Sequence, residues 1–292
     1  MTPIILGPDD EPALERFLAA HADSSMFLRF NAKSAGLVDR GGLFEGTYAA
    51  LRDGRGEIVA VAAHYWSGNL MVQGRLDAIG AVARAAIAHT AVTQPGRDVR
   101  GFHGPHALVV AARDALGLGA RATRLATHDD LFALALADLR VPAVLAHGRV
   151  VCRHLVPADA DVVTHWGEAY RVETLGAAPT PVTPEDIEEE RRAIAGDAAA
   201  RWGLVDGERL VAVMRFTAAL PDCVQVGGVY TPPALRGRGY ARAVVAGALV
   251  EARAAGATRS ILFTERSNHP ARAAYQSLGY AIVGDYSIVL FA

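Results

Sequence analysis

Short apolar runs alternate along the chain with amphipathic stretches, and this order of elements occurs twice. Residues 4–10 and 153–159 each combine a short apolar run with a proline and an aspartate that are typical of a helix start. Residues 48–61 and 203–213 each predict two strands joined by an Asp-Gly turn, which is a strong hairpin signal. The two halves are therefore expected to share one order of strands and helices.

A third pair of similar segments lies near the end of each half, where a helix closes with Leu-Gly at 111–118 and 271–280. The paired segments lie about half the chain apart, and a repeat of that length predicts a duplicated domain, because solenoid repeats are much shorter. Chance similarity between two α/β halves is the alternative. We predict domains at 1–148 and 149–292, each with an α/β (α+β) fold in which a mixed central sheet is flanked by helices.

The composition narrows the classes of protein to consider. The chain has 292 residues, of which 51% are apolar, so each predicted domain can bury a core. The net charge of −2 gives no basic field for nucleic acid. The apolar runs at 131–137 and 243–250 are too short to span a membrane, and no signal peptide is predicted. Cys152 and Cys223 cannot form a disulfide framework, so a cytoplasmic location is expected.

The segment most indicative of function lies at 224–242. An apolar strand leads into a Gly-rich loop, and a helix with one apolar face begins after Gly239. Loop amides and a helix N-terminus attract anions, and Arg236, Arg238 and Arg242 add positive charge. The spacing matches neither a P-loop nor a dinucleotide-binding motif. The pattern predicts a phosphate site, and a surface turn with incidental arginines is the alternative.

Two motifs in this half resemble a known family. The segment 236–241, R-G-R-G-Y-A, resembles the Q/R-x-x-G-x-G/A acetyl-CoA signature of the GNAT superfamily of N-acetyltransferases. The segment 268–280, N-H-P-A-R-A-A-Y-Q-S-L-G-Y, is similar to the second motif of that family. The resemblance covers about residues 150–292, whereas the first half shares the layout without the motifs. The chain therefore resembles a tandem GNAT protein with a degenerate N-terminal half.

The resemblance implies a role for each matching position. Two parallel strands of the C-terminal domain are expected to splay apart and to hold the pantetheine arm of acetyl-CoA. Backbone groups of Val229 and Thr231 would pair with pantetheine, and an N–H at or beside Val229 would polarise the thioester carbonyl. Asn268 would reach pantetheine, and Tyr275 would donate a hydrogen bond to the leaving thiolate. The predicted acetyl-CoA contacts are Val229, Tyr230, Thr231, Arg236, Gly237, Arg238, Gly239, Tyr240, Ala241, Arg242, Asn268, Ala271 and Tyr275.

A general base is harder to assign. Many relatives carry a glutamate where this chain has Gln225, which cannot accept a proton. Glu265, at the end of the following strand, is the nearest alternative and would act through a water, with Asp222 as a second candidate. An acceptor amine of low pKa would need no base. The predicted catalytic residues are Tyr275 and Glu265.

The leading hypothesis is an acetyl-CoA-dependent N-acetyltransferase that acts by direct attack of a small-molecule or protein amine. The alternative is a non-catalytic acyl-CoA-binding or sensor protein. No nucleic acid or membrane partner is expected. No metal is expected either, since His103 and His106 lack a third ligand at a recognisable spacing.

The first half has Asp77 at its helix start and Arg113 in place of Tyr275, so it is expected to bind no cosubstrate. The two halves would form a pseudo-dimer in one chain, which favours a monomer.

Overall fold

The computed structural model describes residues 2–196 and 201–292. The strands of this described part are β1 (Ile4–Ile5), β2 (Gly46–Arg52), β3 (Ile58–Tyr65), β4 (Asn69–Gly74), β5 (Gly101–Gly104), β6 (Thr123–Ala126), β7 (Asp129–Ala135), β8 (Val151–His154), β9 (Arg201–Asp206), β10 (Arg209–Ala219), β11 (Cys223–Tyr230), β12 (Arg259–Glu265) and β13 (Ala281–Phe291). Its α-helices are α1 (Glu11–Ala19), α2 (Met26–Ala35), α3 (Leu76–Thr93), α4 (His106–Ala115), α5 (Ala143–Ala146), α6 (Ala160–Leu175), α7 (Pro184–Gly196), α8 (Tyr240–Ala254) and α9 (His269–Leu278).

The chain packs as two compact units. Unit 1 comprises residues 1–131 and 283–292, and unit 2 comprises residues 132–282. Each unit has strands in one mixed sheet with helices against it, which confirms the predicted fold class. Relative to the predicted halves, residues 132–148 pack with unit 2 and residues 283–292 pack with unit 1. The boundary at 148/149 describes the sequence repeat, and it stays a prediction.

Unit 1 has the strand order β1-β2-β3-β4-β5-β13, and β6 also pairs with β13. The sheet is antiparallel except for the β4–β5 pair. Side chains along β2 alternate between its two faces, as a strand requires. Ala49 and Leu51 join the cluster under α3 and α4, whereas Tyr48 and Ala50 join the cluster under α1 and α2. Unit 1 is therefore a sheet covered by helices on both faces.

Unit 2 has the strand order β7-β12-β11-β10-β9-β8. Helix α8 is buried along most of its length, because Val244, Val245 and Leu249 pack into the main apolar cluster of the unit. Burial of each such side chain contributes about 1.5–3 kcal/mol. The opposite cluster contains Ile194 of α7 and Tyr230 at the end of β11. Strand β11 thus lies in the middle of the sheet, between two helical layers.

None of the helices in the described ranges combines the length and the apolar character that a membrane crossing requires.

Candidate active site

The two central parallel strands of unit 2 separate part-way along their length. Their register pairs Cys223 with Arg259, Val224 with Ser260 and Gln225 with Ile261. Within the described residues the pairing stops there, although β11 runs on to residue 230 and β12 to residue 265. Backbone groups on the facing edges beyond this point are left open to a third extended chain. The predicted splay is therefore present.

A β-bulge bends β11 at the start of this opening. Val213 of β10 pairs with Tyr230, but Arg215 pairs with Gly227, so β11 contains one extra residue in this interval. Gly228 lies within it and has a φ of 57°, a left-handed conformation that side chains disfavour. The two adjacent glycines, Gly227 and Gly228, permit this bulge, and it places Val229 at the mouth of the opening.

The N-terminus of α8 follows the opening. Gly239 is the N-cap residue with a φ of 79°, which lets the chain turn from the loop directly into the helix. Amides in the first turn of a helix have no intrahelical acceptor, and they carry the positive end of the helix dipole. Arg238 is exposed on this loop, and Arg242 is half-buried in the first turn. This end of α8 therefore offers several donors to an anion.

Two buried polar atoms beside the opening lack a partner among the residues described. They are the Thr231 hydroxyl oxygen and the Arg242 Nε atom. Buried polar atoms are normally hydrogen-bonded, so such atoms at a site indicate a ligand that completes them. The loop thus has both charge and unmet hydrogen-bonding capacity.

Arg236 differs from the other two loop arginines. Its Nε donates to the Thr231 carbonyl at 2.9 Å, and its Nη2 donates to the Glu173 carboxylate at 2.6 Å. Its guanidinium lies 5.7 Å from the centroid of the Tyr230 ring. The Thr231 carbonyl, expected to face pantetheine, is therefore already engaged. Arg236 remains a predicted cosubstrate contact, but two of its donors already have protein partners.

Tyr275 lies on α9 and is half-buried. Its ring packs 6.3 Å from that of Phe132 and 6.0 Å from that of Tyr280. The hydroxyl has no hydrogen-bond partner in residues 2–196 and 201–292. Burial raises the pKa of Tyr275 well above its usual value near 10, and Tyr170 adds to the increase. Tyr275 is therefore a protonated donor at neutral pH, with its hydroxyl uncommitted within the described protein.

Other predicted contacts already have structural roles. Asn268 is the N-cap of α9, and its side-chain oxygen accepts a hydrogen bond from the Ala271 amide at 3.2 Å. The Tyr240 hydroxyl donates to the Asp206 carboxylate, and its ring is buried in the core of unit 2. Both side chains hold the ends of helices that border the opening. Gly237 and Ala241 have no side chain able to compete there, so their amides are the groups available to a ligand.

The candidate bases occupy three different environments. Gln225 is 2% exposed, and its amide donates to the Thr217 hydroxyl at 2.8 Å, so it is a satisfied core residue. Glu265 is exposed at the end of β12, on the open part of the strand. Asp222 directly precedes β11, whereas Tyr230 is its last residue. At about 3.3 Å per residue, Asp222 lies some 25 Å from Tyr230, so it is too distant to serve as a base. Glu265 is the one candidate of the three that is both ionisable and at the correct end of the sheet.

One face of α6 packs on Tyr230, and it carries Trp166, for which the sequence favours core packing over a place in the wall of an acceptor pocket. Trp166 and Tyr170 place their rings 6.2 and 6.5 Å from that of Tyr230, and Glu173 accepts a hydrogen bond from the Tyr230 hydroxyl at 3.4 Å. The spacing i, i+4, i+7 puts these three side chains on one helical face, and it could have indicated a shared surface. The face lies on the opposite side of β11 from α8.

Unit 1 lacks the equivalent loop. Its β4–β5 pairing also stops after three residue pairs, at Met71 and His103. However, Arg75 alone separates β4 from α3, whereas residues 231–239 separate β11 from α8. Asp77 lies in the first turn of α3 and pairs with Arg75. The resulting charge at this helix start is unsuited to an anion.

Comparison with known proteins identifies the family that most of unit 2 matches. The model of the acetyltransferase (GNAT) family matches residues 164–280. These residues form a GNAT domain. No curated protein matches the chain.

Solved structures share the fold of nearly the whole chain. A Drosophila protein has a TM-score of 0.66 at 12% identity, covering 99% of this chain and 98% of its own. A GCN5-related N-acetyltransferase from Sphaerobacter thermophilus has a TM-score of 0.58 at 17% identity, covering 98% and 94%. A tandem GNAT protein from the clavulanic acid biosynthesis pathway has a TM-score of 0.54 at 12% identity, covering 98% and 97%. At these identities the likeness establishes the fold of the GNAT domain and its flanks.

The residues of the GNAT domain fit an acyl-CoA. The opening between β11 and β12 suits an extended pantetheine arm, and the first-turn amides of α8 suit a pyrophosphate. The buried Thr231 hydroxyl and Arg242 Nε have no partner in the described protein and are available to such a ligand. Among residues 2–196 and 201–292, no three His, Cys, Asp or Glu side chains are grouped so as to hold a metal ion.

Proposed function

We propose that the GNAT domain transfers an acetyl group from acetyl-CoA to an amine by direct attack. The observation that carries the proposal is the end of the β11–β12 pairing at Gln225, immediately before a Gly-rich loop and the N-terminus of α8. Acetyl-CoA supplies the activated acyl group as a thioester. The residues around the opening bind and orient that thioester, and they stabilise the charges that develop during attack.

Two donors stabilise the reacting atoms in this proposal. The bulge at Gly228 directs a backbone N–H at or beside Val229 toward the thioester oxygen, where negative charge develops. Tyr275 donates its hydroxyl to the sulfur as the C–S bond breaks. A thiol pKa near 8.5 against 10 for tyrosine makes full proton transfer uphill by about 2 kcal/mol. Because burial raises the pKa of Tyr275 further, it acts as a hydrogen-bond donor more than as a proton source.

The attacking amine accounts for the remaining bond and proton changes of the reaction. The amine nitrogen forms a bond to the carbonyl carbon, the C–S bond breaks, and the amine loses one proton. Deprotonating an alkylamine of pKa near 10 at pH 7 costs about 4 kcal/mol. Glu265 is the proposed acceptor of that proton through a water, because Gln225 cannot take it. The side chain of Gln225 instead joins β11 to β10 through Thr217.

The test is the release of free CoA thiol from acetyl-CoA in the presence of a panel of primary amines. Amine-dependent release, with an acetylated amine found by mass spectrometry, is the expected result. Thiol release that is independent of every amine, or no binding of acetyl-CoA, contradicts the proposal.

The second candidate is a non-catalytic acyl-CoA-binding or sensor protein. The buried Gln225 favours it, since the strand that leads into the loop presents no base. The two functions differ in one measurement. A sensor binds acetyl-CoA at the same loop and releases no thiol with any amine.

A further inference from the structure

Arg236 connects the end of β11 to helix α6. It donates to the Thr231 carbonyl at 2.9 Å and to the Glu173 carboxylate at 2.6 Å, and Glu173 lies in the last turn of α6. The Arg236 guanidinium also lies over the ring of Tyr230. One side chain thus joins the loop that follows β11 to the helix on the other face of the sheet.

Tyr230 adds a second link at the same place. Its hydroxyl donates to Glu173 at 3.4 Å, and the rings of Trp166 and Tyr170 pack around its own. Arg236 and Glu173 are both about half exposed, and an ion pair of that exposure contributes little stability alone. The buried aromatic ring beside it fixes the geometry, so the network is suited to hold α6 in position.

Tyr170 and Glu173 are one turn apart on the same face of α6. The ring of Tyr170 lies 6.5 Å from that of Tyr230. A displacement of the last turn of α6 therefore also displaces this ring relative to the end of β11.

We propose that Arg236 is a positioning residue that couples acetyl-CoA binding at residues 231–242 to the position of α6, and that it is not a phosphate ligand. The inference rests on the proposed function. Amides at 237–242 and the side chains of Arg238 and Arg242 hold the pyrophosphate. The ordered loop then fixes Thr231 and Arg236, and Arg236 fixes Glu173. Binding of acetyl-CoA thereby holds the last turn of α6 in place through Arg236 and Glu173.

Hydrogen exchange of the full-length protein, with and without saturating acetyl-CoA, tests this coupling. In the wild type, acetyl-CoA is expected to slow exchange both at 237–242 and in α6, residues 160–175. Arg236→Gln and Glu173→Gln are each expected to keep the first effect and to lose the second. Arg238→Gln is the matched control on the same loop, and it is expected to keep protection of α6 at saturation. Arg236→Lys keeps the charge opposite Glu173 and should restore part of the α6 protection.

Calorimetry separates positioning from phosphate binding. The affinity of Arg236→Gln for acetyl-CoA should stay within about three-fold of the wild type, whereas loss of a charged phosphate contact weakens binding about ten-fold or more. A ten-fold loss in Arg236→Gln without a similar loss in Glu173→Gln assigns Arg236 to the phosphate and overturns the inference. Protection at 237–242 without protection of α6 in the wild type overturns it while the proposed function stands. Absence of both effects, with no binding heat, overturns the proposed function itself.

Discussion

At the scale of single residues, Tyr275 is the proposed donor that distinguishes catalysis from binding alone. Its hydroxyl has no partner in the described chain, and its ring is held by Phe132 and Tyr280. Tyr275→Phe keeps that packing and removes one oxygen. The turnover number is expected to fall by at least ten-fold, since positioned acids contribute about 10²–10⁴. Steady-state kinetics gives the turnover number, and the affinity for acetyl-CoA should change little.

Tyr280→Phe is the matched control for that experiment. The Tyr280 hydroxyl lies 2.6 Å from the Ser260 hydroxyl in the buried core, so its loss should lower stability by about 1 kcal/mol. Turnover should stay near the wild-type value. Equal turnover losses in both variants would mean that Tyr275 acts through packing.

Two buried histidines give unit 1 a predicted pH dependence. Burial lowers the pKa of His64 and of His103 from 6.5 to about 4. Both are neutral when folded, and in the unfolded chain both take up a proton below pH 6.5. Unit 1 should therefore be fully stabilised above pH 6.5 and lose stability as pH falls from 6.5 toward 4, by up to about 3 kcal/mol per histidine.

His103→Phe isolates one of these two groups. His103 lies on β5 with its ring edge-on to Phe27, and neither ring nitrogen has a hydrogen-bond partner in the described chain. The variant should unfold with a shallower loss of stability between pH 6.5 and 4, followed by hydrogen exchange in β3 and β5. An unchanged slope would show that His103 does not titrate on unfolding.

At the scale of elements, the turn from loop to α8 is the most sensitive part of the proposed site. Gly239→Glu places a carboxylate where an anion is expected, and it should abolish acetyl-CoA binding while the fold survives. Gly239→Ala is the matched control, because it carries the same strain at a φ of 79° without the charge. That strain costs about 1–2 kcal/mol. Thermal unfolding should place the two variants close together, and calorimetry should separate them.

Calorimetric binding by Gly239→Glu at the affinity of Gly239→Ala would remove the phosphate assignment. Loss of binding in both variants, with equal unfolding temperatures, would instead mean that the backbone conformation matters and the charge does not.

Local patterns in the sequence predict the elements of the site but not its long-range contacts. The Gly-rich segment at 236–241 predicts a loop that leads into a helix, and this is present; the Gly227-Gly228 pair is a local sequence feature that permits the observed bulge. The ion pair between Arg236 and Glu173 joins residues 63 positions apart, so no local pattern indicates it.

A motif match does not by itself define what a side chain contacts. Asn268 matches a motif position, and its side-chain oxygen also caps α9, which is an N-terminal preference that any asparagine can satisfy. Its contact with pantetheine stays a prediction. The sequence repeat gives the order of elements in both halves. It does not indicate that residues 132–148 pack with unit 2 and residues 283–292 with unit 1, because strand pairing depends on tertiary packing.

At the scale of the whole molecule, the two units differ in the loop that is proposed to bind the cosubstrate. Unit 1 has one residue, Arg75, between β4 and α3, and so it has no loop to hold a pyrophosphate. Duplication within one chain also replaces the partner that a homodimer would need. We therefore predict a monomer of 30.8 kDa. Sedimentation equilibrium should give this mass across a wide concentration range, and a stable mass of twice that value would contradict the prediction.

We propose that unit 2 alone holds a functional acetyl-CoA site. A calorimetric titration of acetyl-CoA into the full-length protein tests this directly. Saturation at one equivalent is expected, through the loop that unit 2 has and unit 1 lacks. Saturation at two equivalents, or no heat of binding at any concentration, would contradict it.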